Sequence, residues 1–156
     1  MFYHKKTNQY IIPGLSFSVD GIQYPANWLN LSTIEDKEAL GLEEVSATNA
    51  RADDRFYYIS ENLEEAKLTY INTPKDIDTL KTSLIASVNS AAYSILLQTD
   101  WYITRFVETG VVVPQEISDY RSSIRQICNN TIQQYNAATN IEELAAVVVN
   151  WEQNPT

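Results

Sequence analysis

The hydrophobic positions change period near the middle of the chain. Up to about Tyr70 they come in short apolar-aromatic runs broken by turn residues, and from Pro74 onward they recur at helical spacing. Tyr10-Ile11-Ile12 is a strand-like run stopped by Pro13-Gly14. Leu15, Phe17 and Val19 then alternate with Ser16, Ser18 and Asp20, the period of two expected of a half-buried strand. Asp20-Gly21 is the pair that a two-residue hairpin turn prefers, because both central residues need positive φ. Ile22-Gln23-Tyr24 follows as the return strand, closed by Pro25. Ser32-Thr33-Ile34-Glu35 has the spacing of a capping box, with Ser32 and Glu35 as its two side chains. Gly41, after Ala39-Leu40, supplies a left-handed end to that short helix. Arg55-Phe56-Tyr57-Tyr58-Ile59 predicts a further strand, so the first part reads as a small sheet with one helix.

In the second part Thr73-Pro74 reads as an N-cap and first helical residue, with Asp76 and Asp78 suited to the first turn. Leu80, Leu84, Ile85, Val88, Ala91, Ala92, Ile95 and Leu96 keep helical spacing. The pattern either continues through Tyr102 and Phe106 to Gly110, a helix of about 34 residues and roughly 50 Å, or breaks near Thr99-Asp100. Val111-Val112-Val113 is an extended connection and Pro114 restarts a helix. Ile117, Tyr120, Ile124, Ile127 and Cys128 line one face of it, with Asp119, Arg121, Ser122 and Arg125 off that face. Asn140 caps a last helix, Ile141 to about Trp151, built on Ile141, Leu144, Ala145 and Val148. The expected fold class is α+β: a small β-rich unit over about 1–72, then a helical hairpin with a closing helix over about 73–156.

Composition narrows the chemistry. The 156 residues suffice for one domain with a core or two very small ones. Eleven Lys+Arg against twenty Asp+Glu give a formal charge of −9, a field that repels phosphate backbones and anionic lipid. Neither nucleic acid nor a membrane is therefore an expected partner. No apolar run approaches the roughly 20 residues that span a bilayer. The first nine residues follow His4-Lys5-Lys6 with no apolar segment, so no signal peptide is expected. The chain is expected to stay in the cytosol or to leave it only within an assembly.

One cysteine and one histidine argue against an internal disulfide, a cysteine metal cluster and a histidine-based nucleophilic site. His4, near the terminus, is expected to be solvated, and Cys128 to be a small buried hydrophobe. The adjacent carboxylates Asp53-Asp54, Glu43-Glu44 and Glu64-Glu65 are the nearest approach to a catalytic set. Acid-base work needs one carboxylate desolvated beside an ionised neighbour, which polar segments seldom provide. They lack the spacing of a calcium loop, as does the region around Asp36. No catalytic, cofactor or metal residue is expected, and the pairs read as a solvated acidic face.

Ten Tyr, four Phe and three Trp form a surplus of rings, with Tyr70, Tyr93, Tyr102, Tyr120 and Tyr135 in or beside the helices. Each fills the core or serves an interface, where aromatic residues are favoured and Lys is rare. Trp151, near the end of the chain, is the ring with most need of a partner surface. Arg105, Arg121 and Arg125 share the hairpin with Asp100, Glu108 and Asp119. They form surface ion pairs worth a few tenths of a kcal/mol each, or Asp100 and one arginine fix the hairpin register.

The stretch from Ile95 through Thr99-Asp100-Trp101-Tyr102 to Arg105, then Glu108-Thr109-Gly110, Pro114 and Tyr120-Arg121-Ser122-Ser123-Ile124-Arg125, resembles the helical module of bacteriophage tail assembly chaperones, also called tail fibre assembly proteins. The likeness rests on a Leu-rich helix, a Thr/Ser-Asp-Trp step, a Pro and a Tyr-Arg-x-x-apolar-Arg helix, over about 35 residues. The opening is similar to the front of phage tail proteins through Val19 to Pro25, Asn27-Trp28-Leu29 and the capped helix ending at Leu40-Gly41-Leu42. Where many such proteins have a loop after Asp-Trp, Trp101 to Thr109 here stays helix-compatible.

The resemblance implies a non-catalytic protein of the host cytoplasm that binds a tail or tail-fibre polypeptide, aids its folding or attachment, and in some cases stays in the virion tail. It implies that Asp100, Trp101, Arg105, Tyr120, Arg121 and Arg125 fix the hairpin or contact the partner. The alternative it leaves open is a permanent structural component of the tail, fibre or baseplate. An acidic, aromatic-rich chain also leaves room for a homo-oligomer.

Overall fold

The computed structural model describes residues 1–155 of a chain that divides into two compact units, Met1–Thr73 and Pro74–Thr156. Strands and short helices make the first and helices the second, an α+β architecture.

In the first unit β1 (Phe2–His4) lies between β2 (Gln9–Ile11) and β5 (Leu42–Glu44), antiparallel to both. The expected solvated terminus is thus the central strand of a sheet. His4 is only 2% exposed, its Nδ1 2.6 Å from Thr7 Oγ1. The turn that returns the chain is held by Asn8, whose φ is +52° and whose side-chain oxygen accepts the Tyr3 hydroxyl at 2.7 Å. Tyr3 and His4 are adjacent and both buried, so β1 has no apolar-polar alternation by which the pattern could reveal it.

β3 (Phe17–Val19) and β4 (Ile22–Tyr24) form the expected hairpin, with Asp20 at φ +50° and Gly21 at +80°. Phe17 and Val19 point inward, but Leu15 falls outside the strand and is exposed. With Ile11, Leu29 and Leu42 they make a buried core against which Phe2, Tyr24, Trp28 and Leu40 pack. Phe17 stacks on Tyr24 at 5.0 Å, and Trp28 meets both rings edge-on.

Two short helices follow, α1 (Trp28–Leu31) and α2 (Ile34–Ala39). The capping box is shifted by one residue from the expected Ser32-Glu35 pair. Thr33 Oγ1 accepts Asp36 N at 3.1 Å, and the Asp36 carboxylate accepts Thr33 N at 3.0 Å. The Thr33 amide, followed by its hydroxyl, which donates to Asp36 Oδ2 at 2.9 Å, holds the Asp36 carboxyl below the usual carboxylate range. Ser32 is taken by the preceding helix, its hydroxyl donating to Trp28 O at 2.7 Å. A helix immediately upstream therefore moved the start of α2. Gly41, at φ +78°, ends it as expected.

β6 (Ser46–Ala47), β8 (Lys67–Pro74) and β7 (Tyr57–Glu64) make a second sheet in that order, with β6 parallel to β8. The strand expected at Arg55–Ile59 starts two residues later and runs on to Glu64. Beyond β6 side-chain amides continue the ladder. Asn49 donates to Tyr70 O and accepts from Tyr70 N, both at 2.8 Å, and Asn72 does the same for Ala50 O and Ala52 N.

The second unit holds α3 (Ile77–Leu97), α4 (Asp100–Thr109), α5 (Gln115–Ala137) and α6 (Ile141–Ala145). Thr73 and Pro74 belong to β8, and the N-cap of α3 is Asp76, whose carboxylate accepts Thr79 N at 2.8 Å. The residue before a proline avoids helical dihedrals, which keeps Thr73 extended. Of the two options for the long helix the break holds, at Gln98-Thr99, and Gly110 at φ +74° closes α4. Asn140 caps α6, but the helix stops at Ala145 rather than Trp151. Val147-Val148-Val149 explains this, since consecutive β-branched residues disfavour helix. Val147, Val149 and Trp151 are half-buried while Val148 and Asn150 are exposed, the alternation of an extended tail. Among the described residues no helix is long and apolar enough to cross a membrane.

Candidate functional site

α3 and α5 run antiparallel in a register that three side-chain contacts define. Lys81 Nζ donates to Asn136 O at 3.2 Å, Cys128 Sγ donates to Asn89 Oδ1 at 3.6 Å, and Arg121 Nη1 donates to Leu96 O at 2.8 Å. Each step forward along α3 (eight residues, then seven) is matched by an equal step back along α5. The interface is lined by Val88 and Ala92 on α3 and by Ile117, Tyr120, Ile124, Cys128 and Tyr135 on α5, all buried.

Arg121 joins the three upper elements. Its Nη1 reaches Thr99 Oγ1 at 2.7 Å as well as Leu96 O, and its Nη2 lies 2.8 Å from Asp100 Oδ1. Leu96 carries one of the carbonyls that the end of α3 leaves without a helical partner. A cation there also suits the helix dipole. Thr99 is fully buried and its own hydroxyl donates to Leu96 O at 3.1 Å, so the break between α3 and α4 is closed on itself. The chain expected to place Arg121 off the apolar face instead buries it at 7% exposure, because every donor it turns inward meets an oxygen at the helix break.

The other residues singled out from the sequence divide around this network. Tyr120 is buried beside Arg121, and burial followed by the charge of Glu152 pushes its phenol up. Arg125 is exposed on the next turn, its Nη1 donating to Arg121 O at 3.3 Å. Arg105 is exposed on α4, away from Asp100. Trp101 is 52% exposed, with its ring 3.8 Å from that of Tyr102. It is not a core residue, and its spacing puts it on the side of α4 that carries Arg105 and Glu108.

α4 is amphipathic, with Tyr102, Ile103, Phe106 and Val107 at spacings that share one face. Yet no α4 side chain is buried. The α3–α5 register accounts for this. Continued past the break, it brings Ile103 level with Pro114, and α5 starts only at Gln115. From Ile103 onward α4 has no turn of α5 beside it. Ile103, Phe106, Val107, Val111 and Val112 are all exposed, Val107 and Val112 at 77%. A ten-residue helix is too short to be stable by itself in water. The arm of α4 and the following valines is thus an exposed apolar surface, on a base tied together by Arg121. Sequence patterning had found the helix, but only the register showed that its apolar face is open.

The adjacent carboxylates do not assemble into a reactive group. Arg55 Nη2 lies 2.6 Å from Asp53, Arg51 3.5 Å from Asp54, and Lys5 2.7 Å from Glu43. The side-chain bond from Arg55 holds the Asp53 carboxyl below the usual range. Glu65 occupies the turn between β7 and β8 at φ +52°. Among the described residues no group of three or more His, Cys, Asp or Glu could hold a metal ion. Cys128 is buried, and desolvation raises its thiol, as befits a packing residue rather than a nucleophile. An open groove of about 650 Å³ lies between α2 and β5, lined by Phe2, Ile34 and Leu42. Its lysines are engaged, Lys5 by Glu43 and Lys37 over the Phe2 ring at 5.4 Å.

Comparison with protein-family models, with curated proteins and with solved structures returns no match to this chain.

Proposed function

We propose that the protein is a non-catalytic assembly chaperone for a bacteriophage tail or tail-fibre polypeptide, acting in the host cytoplasm. The observation that carries this reading is the uncovered apolar face of α4, presented on a hairpin whose end is fixed by Arg121. A chaperone for a folding polypeptide needs apolar surface that its own core does not consume. The Thr99-Asp100-Trp101 step and the Tyr120-Arg121 pair, on which the likeness to tail assembly chaperones rests, meet at that end of the hairpin. Their buried members set the geometry, and the α4 stripe supplies the contact surface.

A second reading, a permanent component of the tail, fibre or baseplate, is favoured by one observation. β7 is an eight-residue strand at the edge of its sheet, where a partner strand could add.

Quantitative mass spectrometry of purified particles beside infected-cell lysate separates the two. Absence from particles, with a fibre or tail polypeptide bound in lysate, supports the chaperone. A fixed ratio to tail proteins in particles supports the structural component. Presence in neither, with no tail polypeptide bound, rejects both.

A further inference from the structure

We propose that the arm formed by α4 and the valine turn after it pairs with the same arm of a second copy, so that the free protein is a twofold dimer. Ile103, Phe106, Val107, Val111 and Val112 are between 39% and 77% exposed. Together they leave on the order of 450 Å² of apolar surface in water, the size of the largest patch a monomer usually shows. One side of a standard interface buries about 800 Å², of which roughly 60% is apolar. The arm therefore offers what one partner of a stable pair must supply, without help from the rest of the chain.

Charge selects the second copy as the occupant. In a twofold interface each residue can face its own counterpart, so a charged stripe would repel itself. The chain carries −9, yet the α4 stripe of Tyr102, Ile103, Phe106 and Val107 carries no charge. The positions flanking it are Thr104 and Thr109, whose hydroxyls are turned back on Asp100 O and Arg105 O. Asp100 is already held by Arg121, and Arg105 and Glu108 lie on the opposite face with opposite signs. Two copies can thus approach along this face without setting carboxylate against carboxylate. A client selected by charge would find nothing here to read. The pairing concerns the surface used in the proposed function but needs no tail polypeptide, so either can fail while the other stands.

The test is sedimentation equilibrium of the purified full chain, from micromolar to near-millimolar concentration. The expected mass is twice 17.7 kDa. Val107→Glu should raise the dimer dissociation constant on the order of a hundredfold, because a buried carboxylate would face its own copy. Val112→Glu, placed in the extended turn where no helix can be disturbed, should do the same with unchanged far-UV circular dichroism. A mass of 17.7 kDa at every concentration overturns the dimer. A dimer that survives both substitutions overturns its placement on the arm.

Discussion

α4 and α5 are neighbours in the chain and both are amphipathic, but they meet opposite fates. α5 buries Ile117, Tyr120, Arg121, Ile124, Cys128, Thr131 and Tyr135, whereas α4 buries nothing. Hydrophobicity does not decide the difference. The buried set of α5 includes an arginine and a threonine, each satisfied: Arg121 by three oxygens, Thr131 by Ile127 O at 2.8 Å. The exposed set of α4 includes Trp101, Phe106 and Val107. What decides it is register. α5 lies along the whole upper part of α3, while most of α4 reaches past the point where α5 begins. An amphipathic period therefore states that a helix needs a partner, and the geometry of the connections states whether the chain itself supplies one.

The comparison is broken most directly by truncating one apolar residue on each helix. Ile124→Ala, at a position with no exposure, should cost about 3 kcal/mol in denaturant unfolding, transfer and cavity together. Phe106→Ala should cost less than about 0.5 kcal/mol when the protein is monomeric, since its half-exposed ring has little packing to lose. Equal losses at the two positions would mean that α4 is packed against something in its own unit after all.

Removing the joint between the helices comes next. Arg121→Ala takes the donor from the buried Thr99 Oγ1, one of three donors from Leu96 O, and the cation from Asp100. It should cost about 2–3 kcal/mol, less than a wholly buried pair because Asp100 is 46% exposed. Arg121→Lys keeps the charge but cannot reach three oxygens in a plane, and should recover about half of that loss. Full recovery by lysine would show that only the charge matters and that the fork does not set the joint.

Much of this was legible in the sequence. The Asp20-Gly21 hairpin, the Gly41 and Gly110 helix ends, the α5 face and the two-part organisation all follow from local chemistry. Misreadings share a cause: a neighbouring element competed for the same residues. Ser32 closes α1 instead of opening α2, and Thr73-Pro74 finishes β8 instead of starting α3. β1 was hidden because its two buried residues are adjacent, flanked by strands on either side, and show no alternation of their own. Arg121 was placed on the wrong side because a cation looks like a surface residue until its oxygens are known. The polar character of the residue was visible, but the cluster of oxygens at the helix break was not.

A pH titration sharpens the comparison at the helix starts. α3 and α6 have carboxylate-dependent starts, at Asp76 and at Glu143, whereas α4 begins at Thr99 with no side-chain cap. Bonds from Thr79 and Thr139 hold the Asp76 and Glu143 carboxyls below their ordinary values. Lowered folded-state values mean stability that is present above the unfolded pKa and lost as pH falls through the folded one. Unit stability should therefore decline on acidification below about pH 4. Asp76→Asn, which can still cap, should make that decline shallower, as read by circular dichroism. An acid limb unchanged in Asp76→Asn would assign the loss to other carboxylates.

The smallest expected effect on stability is at Trp101, where the comparison has most to lose. A core indole replaced by alanine costs about 3–5 kcal/mol. This ring is half-exposed and rests on Tyr102, so Trp101→Ala should shift unfolding by less than about 0.5 kcal/mol. The same substitution should weaken capture of a tail polypeptide, because a half-exposed aromatic is the kind of residue that anchors an interface. Unfolding of the dilute protein and capture of a tail polypeptide from lysate, measured on one preparation, separate the two effects. A large loss of stability would return Trp101 to the core and close the α4 surface. Retained stability with lost capture would place the ring on the surface that a tail polypeptide covers.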